Sequence, residues 1–244
     1  MKILGIDIGG SALKGAPVDT VTGRLLEERF RIETPTVATP AAMAKHAAEI
    51  ARHFKWRGPI GLGFPGVIHG SHILTSANLH KKFIGCDGGK LFAQATGCRV
   101  TLTNDAAAAA QAEMRFGAGK GFKGKALILT LGTGIGSSLC YHEMVVPCEF
   151  GHLPIKGKSA EYYVSAAARK RRDLSWAEWG EELGDYVRTL EKMIWPELII
   201  IGGGVSAKSH KYFKYIKPRA KLVPAKFLNE AGIVGAALSF HRHG

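Results

Sequence analysis

At 244 residues the chain is long enough for one large domain or two smaller ones, and its 46% hydrophobic and 22% charged content, free of low-complexity segments, excludes a disordered protein. No apolar run is long enough to span a bilayer, and four cysteines without C-x-x-C spacing or a neighbouring His pair exclude a zinc ribbon or a disulfide framework. The formal charge of +13, at a pI of about 9.7, implies attraction to polyanions or phosphate-rich substrates.

Met1-Lys2 runs directly into an apolar strand, Lys2 to Ile8, with no signal-peptide core, so a cytoplasmic setting with reduced thiols is expected. Gly9-Gly10-Ser11 supplies a tight turn into a second strand, Leu13 to Val18, and a third is expected from Leu25 to Ile32. Three successive antiparallel strands argue against a dinucleotide fold, which needs a helix after its glycine loop. Thr39-Pro40 provides an N-cap and a first-position proline for a helix reaching about Phe54. Ile60 to Phe64 reads as a strand ending in Pro65-Gly66. A hairpin or extended arm over Val67 to Thr75, a polar basic loop at Asn78 to Lys82 and a helix from Gly88 to Thr96 follow.

The strand entered at Val100 gives way to an alanine run, so Asn104 or Asp105 stands at a helix start, where either residue type is favoured as a cap. After that helix, Gly117 to Ala126 approaches a P-loop pattern. Ala126 replaces the required Ser or Thr and the order is helix to strand, so the segment reads as a flexible basic loop. Ala126 to Leu131, the turn Gly132 to Gly136 and Ser137 to Tyr141 repeat the opening hairpin. Glu149-Phe150-Gly151-His152 precedes a helix expected from Ser159 to Ala168 and a basic cluster, Arg169 to Arg172. Ser175 and Glu178 form a capping box for a long amphipathic helix to Trp195, stopped by Pro196. Leu198 to Ile201 leads into Gly202-Gly203-Gly204 and a short helix, and a small-residue helix spans Asn229 to Phe240.

Glycine turns at strand ends present backbone N–H groups to anions without obstructing side chains, and here there are three. With the other short motifs they carry a family resemblance. Gly5-Ile-Asp7-Ile-Gly9-Gly10-Ser11, Phe64-Pro-Gly66-Val67, Asn104-Asp105, Gly132-Thr133-Gly134-Ile-Gly136-Ser137, Glu149-Phe-Gly-His152, Ser159-Ala-Glu161, Leu174-Ser-Trp176, Gly202-Gly203-Gly204-Val-Ser206 and Ala231-Gly-Ile-Val-Gly235 together resemble the ROK family of sugar kinases. Within it, the chain is most similar to the polyphosphate-dependent glucokinases, and the resemblance extends from Ile3 to about Ala237.

The resemblance implies an α/β, two-lobed, actin-like or hexokinase-like ATPase fold with a cleft between the lobes. A smaller lobe is expected over residues 1–105 and a larger one over 106–244, with the last helix packing back on the first. It implies Asp105 as catalytic base and Asp7 as a Mg²⁺ holder acting through water. Gly9, Gly10, Ser11, Lys14, Gly132, Thr133, Gly134 and Gly136 would bind the phosphoryl donor, polyphosphate or ATP, with Gly202, Gly203 and Gly204 beside a nucleotide. Glucose, and mannose as a second sugar, would meet Asn104, Asp105, Glu149, His152 and Glu161, with Gly66 and Asn78 nearby. A carboxylate–amide–imidazole set suits hydroxyls that each donate and accept. Many members ligate zinc through the equivalent of His152 and a downstream cysteine cluster. Leu153 to Ser159 contains no cysteine, so no zinc is expected. The resemblance also implies a homodimer without membrane or nucleic-acid partners.

Some positions depart from the polyphosphate-glucokinase pattern. Ala107 stands where a polar residue is common, the loop before Glu149 is one residue shorter, and His80 and Phe83 replace an acid and a tryptophan, with Lys81 and Lys82 between them, giving a more basic entrance. Two alternatives remain open. One is a strictly ATP-dependent ROK glucokinase. The other is a sugar-responsive, polyanion- or nucleic-acid-binding protein without kinase activity, although no run alternates basic and aromatic residues for base stacking. Lys81-Lys82, Lys120, Lys123, Lys125, Arg169 to Arg172 and Lys208 to Lys217 are candidates for a polyphosphate track.

Overall fold

The computed structural model describes residues 1–76 and 79–240. Asn78, expected near the sugar, lies outside the described residues. The chain divides into two compact units, Met1–Ala112 with the stretch from Glu230 onward, and Glu113–Asn229.

In the first unit, β1 (Lys2–Ile8) and β2 (Ala12–Asp19) form an antiparallel hairpin. The single strand expected from Leu25 to Ile32 is two pieces, β3 (Arg24–Leu25) and β4 (Phe30–Glu33), both pairing with β2. The break falls on the exposed residues Glu27-Glu28-Arg29, where consecutive charges interrupt the alternation that a half-buried strand needs. The helix α1 (Pro40–His53) starts where Thr39 Oγ1 accepts from the Ala42 amide and buries Met43, Ala47 and Ile50 along one face. The strand β5 (Ile60–Phe64) runs parallel to β1. The short hairpin β6 (Ile68–His69) and β7 (His72–Ile73) precedes α2 (Gly88–Thr96), β8 (Val100–Asn104) and α3 (Asp105–Phe116).

The second unit opens with an antiparallel hairpin, β9 (Lys125–Leu131) and β10 (Ile135–Tyr141), extended by β11 (Met144–Cys148). A small ribbon, β12 (Pro154–Ile155) with β13 (Lys158–Ser159), precedes α4 (Ala160–Val164) and α5 (Ala166–Arg171). One continuous helix was expected there. Ser165 is instead extended (φ −67°, ψ 162°), and its Oγ accepts from the Ala168 amide, so a serine able to cap divides the helix. The capping box at Ser175 and Glu178 starts α6 (Trp176–Ile194), whose Trp179, Leu183, Tyr186, Val187 and Leu190 form the buried stripe. β14 (Leu198–Gly202), a pair of 3-10 turns and β15 (Lys221–Pro224) follow. The final helix, α7 (Ala231–Ser239), belongs to the first unit.

The repeat hinted at by the two glycine hairpins is carried through both sheets. The order β2-β1-β5-β8 matches β10-β9-β14-β15 strand for strand, an antiparallel hairpin followed by two parallel additions. The core of the first unit gathers Leu4, Ile6, Leu62, Phe64 and Phe92 with the α1 stripe. That of the second gathers Leu127, Leu129, Ile199, Ile201 and Tyr212 with the α6 stripe.

On the other face of the first sheet α7 lies at backbone contact. A side chain at Gly5 would strike the Ile233 carbonyl, one at Gly61 the Ala236 carbonyl, and one at Gly235 the Ala108 carbonyl of α3. The glycine-rich segment after α3 forms hydrogen-bonded turns, the Lys120 amide donating to the Gly117 carbonyl at 3.3 Å and the Phe122 amide to the Gly119 carbonyl at 3.0 Å. The Glu113 carboxylate accepts from the amides of Ala118 (2.8 Å), Lys226 (3.1 Å) and Phe227 (2.7 Å), so a buried acid is satisfied while tying two segments together. Among the described residues no helix is long and apolar enough to cross a membrane.

Candidate active site

In the first unit, parallel register brings the carboxyl ends of three strands together. Asp7 of β1 lies beside Gly63 of β5, and Gly63 beside Thr103 of β8, so Asp7, Phe64-Pro65-Gly66 and Asn104-Asp105 share one edge of the sheet. Ligands of open α/β sheets collect at such carboxyl ends. Asn104 caps α3, its Oδ1 accepting from the Ala107 amide at 2.9 Å, while its Nδ2 donates to the Gly66 carbonyl at 3.0 Å. Asp105 forms the first turn, with Oδ1 accepting from the Ala106 amide at 2.7 Å. The cap expected of this pair is therefore Asn104, and the adjacent carboxylate is carried on the helix start that the cap fixes.

Asp7 pairs in register with Lys14 across the first glycine turn, and its carboxyl packs against Gly232 near the start of α7, where any side chain would strike it. Burial raises the Asp7 pKa above its ordinary value, and the Lys14 charge opposes that rise. The turn itself is braced from β4, since Thr34 Oγ1 donates to the Gly9 carbonyl at 2.7 Å and the Thr34 amide to the Ser11 carbonyl at 3.1 Å.

In the second unit the other two glycine turns touch. Gly203, at φ +81°, lies so close to the backbone of Leu131 that no side chain fits, which sets Gly202 to Gly204 against the turn beginning at Gly132. The Gly132 carbonyl accepts from the Ala167 amide at the start of α5, at 3.1 Å. Ser137 Oγ donates to the Cys148 carbonyl at 2.6 Å and accepts from the Phe150 amide at 3.0 Å, which anchors the 3-10 turn of Phe150 to His152 on β10.

Three side chains then converge on the second turn. Glu149 Oε2 is 3.6 Å from His152 Nδ1, His152 Nε2 is 3.9 Å from Glu161 Oε1, and Glu161 Oε2 accepts from the Ile135 amide at 3.2 Å while filling the space above Gly134. His152 remains 55% exposed, and so able to meet a ligand. Sequence reading selected Glu149, His152 and Glu161, but not Ile135 or the positioning role of Ser137. An amide–carboxylate bond spanning 26 residues leaves no local pattern to find.

The basic segments separate into different roles. Arg172 is held by both carboxylate oxygens of Glu182, so its charge is paired, while Lys125 Nζ and Arg169 each donate to a backbone carbonyl, of Ile194 and Leu174, and keep their charge unpaired. Arg169 lies 4.0 Å from the Trp176 ring centre, and Lys208 and Lys211 each lie 6.0 Å from it, while Tyr212 stacks on that ring at 5.7 Å. No described carboxylate forms an ion pair with Arg169, Lys208 or Lys211. A basic–aromatic cluster is thus assembled from separate segments, although no alternating run exists in sequence. Among the described residues no group of three or more His, Cys, Asp or Glu side chains is placed to hold a metal.

A profile of the ROK family matches residues 3–161. The chain belongs to the ROK family. The polyphosphate glucokinase of Mycobacterium tuberculosis is 42% identical over 237 residues, covering 96% of this chain and 89% of that protein. The inorganic polyphosphate/ATP-glucomannokinase of Arthrobacter sp. strain KM superposes with a TM-score of 0.96 at 42% identity, over 100% of this chain and 99% of that one. A ROK glucokinase from Streptomyces griseus, solved with glucose and AMPPNP, shares the fold at a TM-score of 0.82 and 23% identity, each chain fully covered. The two-lobed, hexokinase-like α/β fold expected from the ROK motifs is the fold of these relatives.

Proposed function

We propose that the protein is a hexose kinase that transfers the terminal phosphoryl group of inorganic polyphosphate, with ATP as a second donor, to the 6-hydroxyl of glucose, mannose being an alternative sugar. The observation that carries this reading is the convergence of Glu149, His152 and Glu161 on a glycine turn, in a chain 42% identical to a polyphosphate glucokinase over nearly its whole length.

In this reading Glu149, His152 and Glu161 hold sugar hydroxyls, and Asn104 holds the Gly66 loop beside the catalytic base, Asp105. Asp105 takes the proton of the 6-hydroxyl as its oxygen bonds to phosphorus. The bridging P–O bond breaks, leaving polyphosphate one unit shorter, or ADP. Such transfers depend mainly on positioning and charge stabilisation. Gly9, Gly10 and Ser11, with Lys14 behind them, and the turns at Gly132 to Gly136 and Gly202 to Gly204 supply backbone donors for the phosphates. Asp7 fits Mg²⁺, an ion that needs few protein carboxylates when phosphates and water complete its shell. Bound there, Mg²⁺ would neutralise donor charge.

Polyphosphate is favoured by the unpaired cations around Trp176. That ring is stacked by Tyr212 and approached by three cations, an arrangement suited to a chain of charges more than to a stacked base. The family resemblance also carries a homodimer in the cytoplasm. A coupled assay with glucose, comparing polyphosphate and ATP, tests the assignment: glucose 6-phosphate should form with both donors. Formation with ATP alone would leave an ATP-dependent glucokinase, and formation with neither would reject the kinase reading.

A further inference from the structure

The two phosphate-type hairpins are topologically equivalent, yet the described bonds on their turns differ. Thr34, a neutral hydroxyl, braces the first, whereas the second carries a carboxylate, Glu161, on the Ile135 amide. An acid is an unexpected occupant of an anion-binding turn. It takes up an N–H donor and places negative charge where phosphate oxygens would collect. Gly134 permits the approach, since any side chain there would displace the carboxylate. The other oxygen of Glu161 faces His152 Nε2 at 3.9 Å, on the side assigned to the sugar.

We propose that Glu161 is a coupling residue, an internal anion that occupies the second donor turn until sugar binds. The inference rests on the reading of Glu161 as a sugar ligand and of Gly132 to Gly136 as a donor turn. A sugar hydroxyl donating to the carboxylate draws it from the Ile135 amide and spreads its charge, leaving the turn open to phosphate. Without sugar, donor and Glu161 compete for one site. Because coupling between ligands is reciprocal, donor must tighten sugar by the same factor that sugar tightens donor.

The test measures ATP and tripolyphosphate binding calorimetrically, with and without saturating 6-deoxyglucose, which fills the sugar site but lacks the accepting hydroxyl. In the unaltered protein 6-deoxyglucose should tighten either donor by about tenfold, within the usual range of ligand coupling. In Glu161→Gln, which keeps the shape and removes the charge, the sugar-free donor affinity should rise toward the sugar-bound value, and saturating sugar should add less than about twofold. Glu161→Ala, which vacates the amide as well, should show the same loss of coupling. A merely structural role predicts the opposite, weaker donor binding in both variants. Weaker binding, or full coupling retained in Glu161→Gln, overturns the proposal. Glucose phosphorylation by the unaltered protein separates the two levels: if it is present while coupling is unchanged, this inference alone fails, and if it is absent, the kinase reading fails with it.

Discussion

Asn104 donates from Nδ2 to the Gly66 carbonyl and accepts at Oδ1 from the Ala107 amide, so a single side chain joins the loop after β5 to the start of α3. Both ends of the amide are used inside the protein, and Asn104 is nearly buried. Replacing it with Ala removes an N-cap and leaves the Gly66 carbonyl without this donor, costing about 1 to 3 kcal/mol. Thermal unfolding of Asn104→Ala should therefore fall by several degrees. Asn104→Asp, which keeps the cap but cannot donate while ionised, should lose less stability and still disturb the Gly66 loop.

Asp105→Asn separates capping from proton acceptance. The amide oxygen can still accept from the Ala106 amide, so the variant should fold and bind glucose like the unaltered protein. With the base removed, kcat should fall by roughly 10² to 10⁴ with either donor. Steady-state kinetics beside a glucose-binding titration checks both halves, and a near-native kcat would remove Asp105 from the role of base.

Asp7 yields a prediction in pH. Its carboxyl is raised in the folded state, chiefly by burial. A raised acid stabilises the fold fully below its unfolded pKa, and that contribution is lost as pH rises through the folded value. Asp7→Asn should consequently melt above the unaltered protein at neutral pH, with the difference closing as pH drops below the ordinary aspartate value of about 3.9. If Asp7 also holds Mg²⁺, the same variant should need more Mg²⁺ for half-maximal activity. A constant gap in melting temperature across the pH range would remove Asp7 as the titrating group.

The cations around Trp176 predict a salt signature. A protein that neutralises several phosphates releases their counterions, so binding weakens steeply with salt. The KM for long-chain polyphosphate should climb more steeply with ionic strength than that for ATP, and Lys208→Gln with Lys211→Gln should flatten the polyphosphate slope while sparing the ATP slope. Equal slopes for both donors in the unaltered protein would take the cluster out of donor binding.

Much of the fold was legible because its elements carry local signals: the short apolar runs of β1 and β9, the Thr39-Pro40 start of α1, and the Ser175–Glu178 box of α6. The short strands β11 and β15 were not, since Met144–Cys148 is largely exposed and Lys221–Pro224 spans four residues with a charge and a proline at its ends. The split at Ser165 was hidden by the alanine run Ala166 to Ala168, which favours helix directly after a residue whose cap geometry wins locally. At the site, the family resemblance pointed to Asp7, Asp105 and Glu161, but Glu161's bond to Ile135 and the gathering of Arg169, Lys208 and Lys211 about one indole arise through folding of distant segments.

The return of α7 to the first sheet has a consequence for synthesis on the ribosome. Residues 113–229 form a continuous unit that can fold as it emerges, whereas the first unit stays without α7 until that whole unit has been made, on the order of ten seconds later at usual elongation rates. Over that interval the part of β1 and β5 around Gly5 and Gly61 lacks the helix that covers it and is open to nascent-chain chaperones or to the α7 segment of another chain. Because Gly5 and Gly61 admit only a backbone at contact distance, the late helix acts as a molecular latch that closes the first unit last.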